Sequence, residues 1–193
     1  MFRDLDEKRQ QICEAAIELF GQKSFENTKV AEIASTAKVG KGTFYLYFDS
    51  KDQLLEFLIE HGIESLSAYV KEDMANIDDI DARLEAAIDA QIEFFNIYRD
   101  YCRFMIREIW SYRDHFEDQI FKLKREYITI YEEILAKGKG TGKFKEVDIE
   151  TISSGLVGLM SISTLHWLLF TDEFPAEEIK SNIKEVFFNG IKN

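Results

Sequence analysis

Pro175 is the only proline in 193 residues. Proline removes a backbone donor and clashes with the preceding turn, so a chain nearly free of it can run in long helices. Apolar positions recur at helical spacing, and no stretch shows period-two alternation bounded by hairpin turns. Hydrophobic residues make up 46% of the chain, enough to fill a core and to exclude wholesale disorder. The expected fold is all-α with about nine helices, as one domain or as a small module fused to a larger one.

The helices can be placed from their faces. Ile12, Ala15, Ala16, Leu19 and Phe20 form the first, with Gly21 as its stop. Val30, Ile33, Ala34 and Ala37 line the second, with Thr28 as its expected N-cap. After KVG comes KGTFYLYF, and Asp49 or Ser50 opens a pattern of Leu54, Leu55, Leu58, Ile59 and Ile63 reaching towards Met74. Asp78 or Asp81 opens the next helix, with Leu84, Ile88, Ile92 and Phe95 inward. CRFMIREIW and HFEDQIFKLKREYITIYEEILAKG follow, and then a glycine loop, GKGTGKF. Residues 148–170 and 176–191 read as two closing helices.

Charge divides the chain in two. Residues 1–51 hold eight basic and eight acidic side chains, whereas residues 52–193 hold 16 against 28 and carry the whole net charge of −12. An acidic body repels DNA and anionic membranes, so any nucleic-acid contact is confined to the neutral N-terminal end. Residues 1–50 and 51–193 are therefore expected to form two domains with different tasks.

In the N-terminal part, two short helical patterns joined by a three-residue turn fit a helix-turn-helix. Helices this short are unstable alone and must pack on their neighbours. Within Lys41–Phe48, Phe44 and Phe48 lie four apart and should face that small core. The outward set is Lys41, Gly42, Thr43, Tyr45 and Tyr47, all able to meet base edges or phosphates. The segment VAEIASTAKVGKGTFYLYFDSKDQLL resembles the N-terminal signature of the tetracycline-repressor (TetR) family of transcriptional regulators. The resemblance implies that Lys41–Phe48 is a recognition helix, with Lys41, Gly42, Thr43 and Tyr45 near base edges. It places phosphate contacts on Thr28, Lys29, Tyr47 and Lys51. Two positions depart from the family pattern: Lys38 stands where the turn usually has glycine, and Gly40 where an N-cap serine is usual. A left-handed lysine at position 38 would cost up to about 1–2 kcal/mol.

Eleven of the 26 aromatic residues fall between Phe94 and Tyr131. They suit a helical core, or the walls of an apolar cavity. The resemblance implies an effector cavity in the second domain, for which Phe94, Tyr98, Met105, Ile109, Trp110 and Phe121 are the candidate lining. An acyl-CoA-like or drug-like effector follows, and Glu93 or Glu108 would suit a cationic one. Residues 151–171 carry no formal charge over 21 positions, long enough to cross a bilayer. Nine of these are Gly, Ser or Thr, His166 sits among them and the flanks are acidic, so no membrane partner is expected. A helix uncharged all round is expected to be buried on all sides. By resemblance, the last two helices pair across a two-fold axis into a homodimer, through Leu156, Leu159, Met160, Ser163, Trp167, Ile183 and Phe187.

Signals for other chemistry are weak. GKGTGKF lacks the Ser or Thr that follows the lysine of a phosphate loop, and no strand precedes it. His61, His115 and His166 have no metal-ligand spacing, and no catalytic residues or cofactor are expected. Cys13 and Cys102 lack CxxC spacing and suit buried thiols in a reducing compartment. The first ten residues lack an apolar run, so no signal peptide is expected and a cytoplasmic setting follows. The expected partners are a double-stranded DNA operator, a small hydrophobic effector and a second copy of the chain. The alternative is a helical small-molecule-binding protein or enzyme whose N-terminal module no longer binds DNA.

Overall fold

A computed structural model describes the backbone of residues 1–2, 5–111 and 113–192, and the side chains of these except 107–111, 113–120 and 122–124. Among the described residues nine α-helices follow in order: α1 (Glu7–Lys23), α2 (Val30–Thr36), α3 (Lys41–Tyr47), α4 (Lys51–Asp73), α5 (Ile80–Ile97), α6 (Arg99–Ser111), α7 (Arg113–Gly140), α8 (Ile149–Phe170) and α9 (Ala176–Ile191). The chain divides into two compact units, Met1–Gly62 with Tyr98–Ile120, and Ile63–Ile97 with Phe121–Asn193.

In the first unit α1 packs against α2 and α6. Its face of Ile12, Ala16 and Phe20 is fully enclosed, together with Ile33, Phe44, Leu54, Leu58 and Phe104. The helix does not stop at Gly21. It runs on to Lys23, and the left-handed residue that turns the chain is Ser24 (φ 73°), whose N–H bonds to the Phe20 carbonyl. Two turns further C-terminal in α4 than Leu55, Gly62 gives the room that Tyr101 needs: a Cβ would coincide with the tyrosine hydroxyl. That hydroxyl donates to the Leu58 carbonyl at 2.8 Å. Burial pushes the Cys13 thiol up to about 12 and raises Cys102 as well, so neither is a thiolate nucleophile.

In the second unit α5 packs against α8 and α9. An ion-pair ladder sets the register of α5 on α9: Glu93 with Lys180 (2.9 Å), Asp89 with Lys184 (2.9 Å) and Asp81 with Lys192 (3.0 Å). Glu93 is thus occupied by a lysine of its own unit. Such partly exposed pairs contribute about 0–1 kcal/mol each, so their main effect is on register. The GKGTGKF segment ends α7. Lys143 and Phe144 both donate to the Gly138 carbonyl (3.0 and 3.1 Å), and the Phe144 ring fills the space a Cβ on Gly138 would take.

Candidate nucleic-acid interface

The start of α2 is capped from its own first turn. Lys29 is the N-cap, and its N–H donates to Glu32 Oε2 at 2.9 Å. Glu32 also accepts from Lys23 Nζ at 2.6 Å, and this hydrogen bond is the chief reason its carboxyl lies below the usual range. Thr28 is not the cap. Its side chain is 1% exposed and Oγ1 donates to the Ser24 carbonyl at 2.8 Å, a partner presented by the left-handed turn at Ser24.

The end of α2 is a Schellman turn, in which a left-handed residue lets two amides bond back to the last carbonyls. Val39 N–H reaches Ala34 O at 2.9 Å and Lys38 N–H reaches Ser35 O at 3.1 Å. The left-handed residue is Lys38, at φ 55°. Gly40 then caps α3 with extended backbone (φ −69°, ψ 148°) and no side-chain bond.

On α3, Phe44 and Phe48 are buried with ring centroids 5.9 Å apart. Lys41, Gly42, Tyr45 and Leu46 lie on the opposite side, all exposed. Lys41 Nζ sits 5.9 Å from the Tyr45 ring centroid. A Cβ on Gly42 would meet nothing in the chain, so what the glycine provides is clearance on the outer side. Leu46, 83% exposed, is a member of this face that the spacing argument passed over. Its position beside Tyr45 and one turn after Gly42 was the available signal.

Three residues expected at phosphates are engaged within the unit. Besides Thr28, Tyr47 donates to Asp6 Oδ1 at 2.8 Å, and that oxygen also accepts the Lys8 and Arg9 amides that begin α1. The tyrosine bond is the largest cause holding the Asp6 carboxyl below its usual range. Lys51 Nζ donates to the carbonyls of Phe25 (2.6 Å), Thr28 (2.9 Å) and Glu26 (3.4 Å) and lies 4.2 Å from the Phe25 ring centroid. Lys29 and Thr43 remain on the outer side, exposed and half-buried respectively.

The residues expected to line an effector cavity are not assembled in one described cluster. Phe94 is buried in the second unit, beside Tyr69 at 5.8 Å between centroids. Tyr98 and Met105 belong to the first unit, and Tyr98 OH accepts from the chain's amino terminus at 3.0 Å. Phe121 is 69% exposed, and the side chains of Ile109 and Trp110 lie outside the described residues.

The residues expected at a dimer interface split into two sets. Leu156, Met160 and Ile183 are buried within their own unit, because α8 turns that side towards α5 and α9. Leu159, Ser163 and Trp167 line an open groove between α8 and α9, and Phe187 is half-buried. Ile162, Phe170 and Val186 are exposed. The uncharged helix is therefore covered on one side only in a single chain.

Two family models match successive parts of the chain. The model for bacterial regulatory proteins of the tetR family matches residues 12–58, and that for the tetracyclin repressor-like C-terminal domain matches residues 78–191. The HTH-type transcriptional regulator YerO of Bacillus subtilis is 30% identical over 189 residues, covering 94% of this chain and 63% of YerO, just under two thirds of its length. The fatty acid metabolism regulator protein of Bacillus subtilis is 23% identical over 189 residues, covering 96% of each chain. The structure of the transcriptional regulator FadR from Bacillus subtilis in complex with stearoyl-CoA superposes with a TM-score of 0.82 at 21% identity, covering 94% of this chain and 98% of that one. At that identity the likeness is one of fold.

Proposed function

The chain belongs to the tetR family of bacterial regulatory proteins, and we propose that it is a dimeric DNA-binding transcriptional regulator, released from a palindromic operator by an acyl-CoA-type effector. The observation that carries the reading is the outer face of α3, where Lys41, Gly42, Tyr45 and Leu46 stand exposed on a helix whose inner face is held by Phe44 and Phe48. A helix presented in this way enters the major groove, where each base pair displays its own pattern of donors, acceptors and methyl groups. Lys41 and Tyr45 act on base edges, Leu46 suits a thymine methyl, and Gly42 lets the backbone approach. Thr43 stays with the base-edge set and Lys29 reaches a phosphate, while Thr28, Tyr47 and Lys51 hold the module in shape. The protein acts in the cytoplasm, where its operator is found.

Two copies pair through the open side of α8 and α9, around Leu159, Ile162, Ser163 and Val186. Pairing sets the two recognition helices in successive major grooves, about 34–36 Å apart. An effector held in the second unit favours a spacing that no longer matches the grooves. The effector class is proposed from the structure of FadR from Bacillus subtilis in complex with stearoyl-CoA, an acyl chain on coenzyme A.

The test is to enrich random duplexes on the purified protein. A palindrome should emerge, and its binding should weaken as salt rises. Lys41→Ala and Tyr45→Ala should each relax preference at particular base pairs, by about 1–3 kcal/mol per contact. Failure of any duplex to enrich would refute the reading, and an operator that no acyl-CoA releases would refute the effector class alone.

A further inference from the structure

The interior of the second unit holds a polar cluster that the DNA-binding role does not use. Gln91 on α5 is fully buried, and its carboxamide oxygen accepts from the hydroxyls of Tyr127 and Tyr131, the latter at 2.8 Å. The two hydroxyls lie 3.0 Å apart, and Tyr131 also reaches the Ala87 carbonyl at 3.3 Å. Burial raises both tyrosines well above their ordinary range, so they stay neutral donors.

With its oxygen taken, the Gln91 amide has two N–H donors left and Nε2 bonds to nothing. A buried donor without an acceptor is destabilising, and folded chains rarely keep one without a use. Nor is it alone. Ser153 on α8, a helix packed on α5, is equally enclosed and its Oγ is also without a partner. Among the described residues, Leu84, Ile88, Leu156 and Met160 belong to the same buried hydrophobic cluster as both tyrosines.

We propose that Gln91, held in orientation by Tyr127 and Tyr131, is the polar anchor of the effector site and donates its amide hydrogens to the carbonyl oxygen of an acyl group. The proposal rests on the effector reading above and specifies which part of the ligand is recognised. An uncharged acceptor on an apolar chain matches what the cluster lacks, since a carbonyl oxygen offers two lone pairs and brings no donor of its own. A free carboxylate would enter as an unpaired charge among apolar side chains, which is far more costly. The acyl chain itself lies against the aliphatic residues, and its carbonyl oxygen takes the amide hydrogens of Gln91.

The experiment compares palmitoyl-CoA with S-hexadecyl-CoA, a thioether of matched chain that lacks the carbonyl oxygen. Both are titrated against operator-bound wild-type protein and the Gln91→Met variant, following operator release. Wild type should respond to the thioether on the order of tenfold more weakly than to the thioester, as expected for a buried donor left unmet. In Gln91→Met the two ligands should become equivalent. If Gln91→Met does not fold, the wild-type comparison of the two ligands decides alone, a thioester no more effective than the thioether overturning the anchor. Equal response of wild type to both ligands, or discrimination that survives in the variant, would overturn the anchor while leaving the effector reading intact. No release by either ligand would remove both.

Discussion

Lys51 separates two physical roles that the same residue type could serve. A phosphate contact would make it a term in the salt dependence of DNA binding, whereas in the structure its ammonium is taken up by the carbonyls of Phe25, Glu26 and Thr28. Lys51→Met keeps an aliphatic stem over the Phe25 ring and removes only the cation. Hydrogen bonds to charged groups contribute about 1.5–3 kcal/mol each. The site is half-exposed, so water can take over part of that role, and the 3.4 Å bond to Glu26 is weak. A total of about 2 kcal/mol is therefore expected. For a chain of this size that corresponds to a fall in Tm of about 4–8 °C. Operator affinity should drop at every salt concentration, because the entry to α2 is no longer fixed, but the slope of log K against log salt should hold. Were Lys51 bound to phosphate, its removal from both copies would instead reduce the slope by about two. Calorimetry on the variant, with fluorescence anisotropy on operator DNA from 50 to 200 mM salt (about the usual working range), decides between them. An unchanged Tm with a reduced slope would refute the clasp.

Lys38→Gly should raise Tm by about 1–3 °C, since relief of the left-handed lysine exceeds the added freedom of the unfolded chain. Lys38→Ala, which removes the charge and keeps the strain, should not, and equal Tm values for the two would contradict the account. Ile162→Glu should give monomers by sedimentation with helicity retained, because this side chain is already exposed in the single chain. A variant that stays dimeric would move the two-fold axis elsewhere. Asp6 is depressed mainly by Tyr47, so its contribution is present above the usual carboxylate pKa and is lost as pH falls through the lower folded value. In Tyr47→Phe that loss should be smaller and be complete at a higher pH, and an Asp6 carboxyl resonance titrating as in wild type would rule out the tyrosine as its cause.

Much of the fold is legible because helical periodicity is local. The closing helices expected at 148–170 and 176–191 are α8 (Ile149–Phe170) and α9 (Ala176–Ile191), and the pattern reaching towards Met74 is α4, which ends at Asp73. The inner face of α3 was equally readable, since Phe44 and Phe48 are the only aromatics in it four apart on a side without polar groups. What was not legible depended on partners distant in sequence. Nothing near Lys51 distinguishes a lysine aimed at phosphate from one bonded to carbonyls 23 to 26 residues earlier. The ladder from α5 to α9 joins Glu93 to Lys180 and Asp89 to Lys184, so acidic side chains of α5 have partners 87 and 95 residues away. On α8 the composition announced an uncharged helix but not which side the chain itself would cover. Leu156 and Met160 turn inward and Ile162 outward, a choice made by α5 and α9 rather than by α8.

The charge division then takes on a sharper meaning. Of the cations in the first 51 residues, Lys23 is bonded to Glu32, Arg9 lies over the rings of Phe48 and Phe57, and Lys51 is held by carbonyls. Among the described residues, Lys29, Lys38 and Lys41 are exposed around the helix-turn-helix, and exposed Lys8 on α1 bonds to Gln11. Non-specific affinity for DNA grows with the number of phosphates neutralised, so this small set leaves little of it, and an acidic body opposes it further. A regulator built this way gains little from the backbone of random DNA. On the proposed function, discrimination comes from the contacts that read bases, which puts the burden on Lys41, Tyr45 and Leu46 and on the small core of Phe44 and Phe48 that presents them.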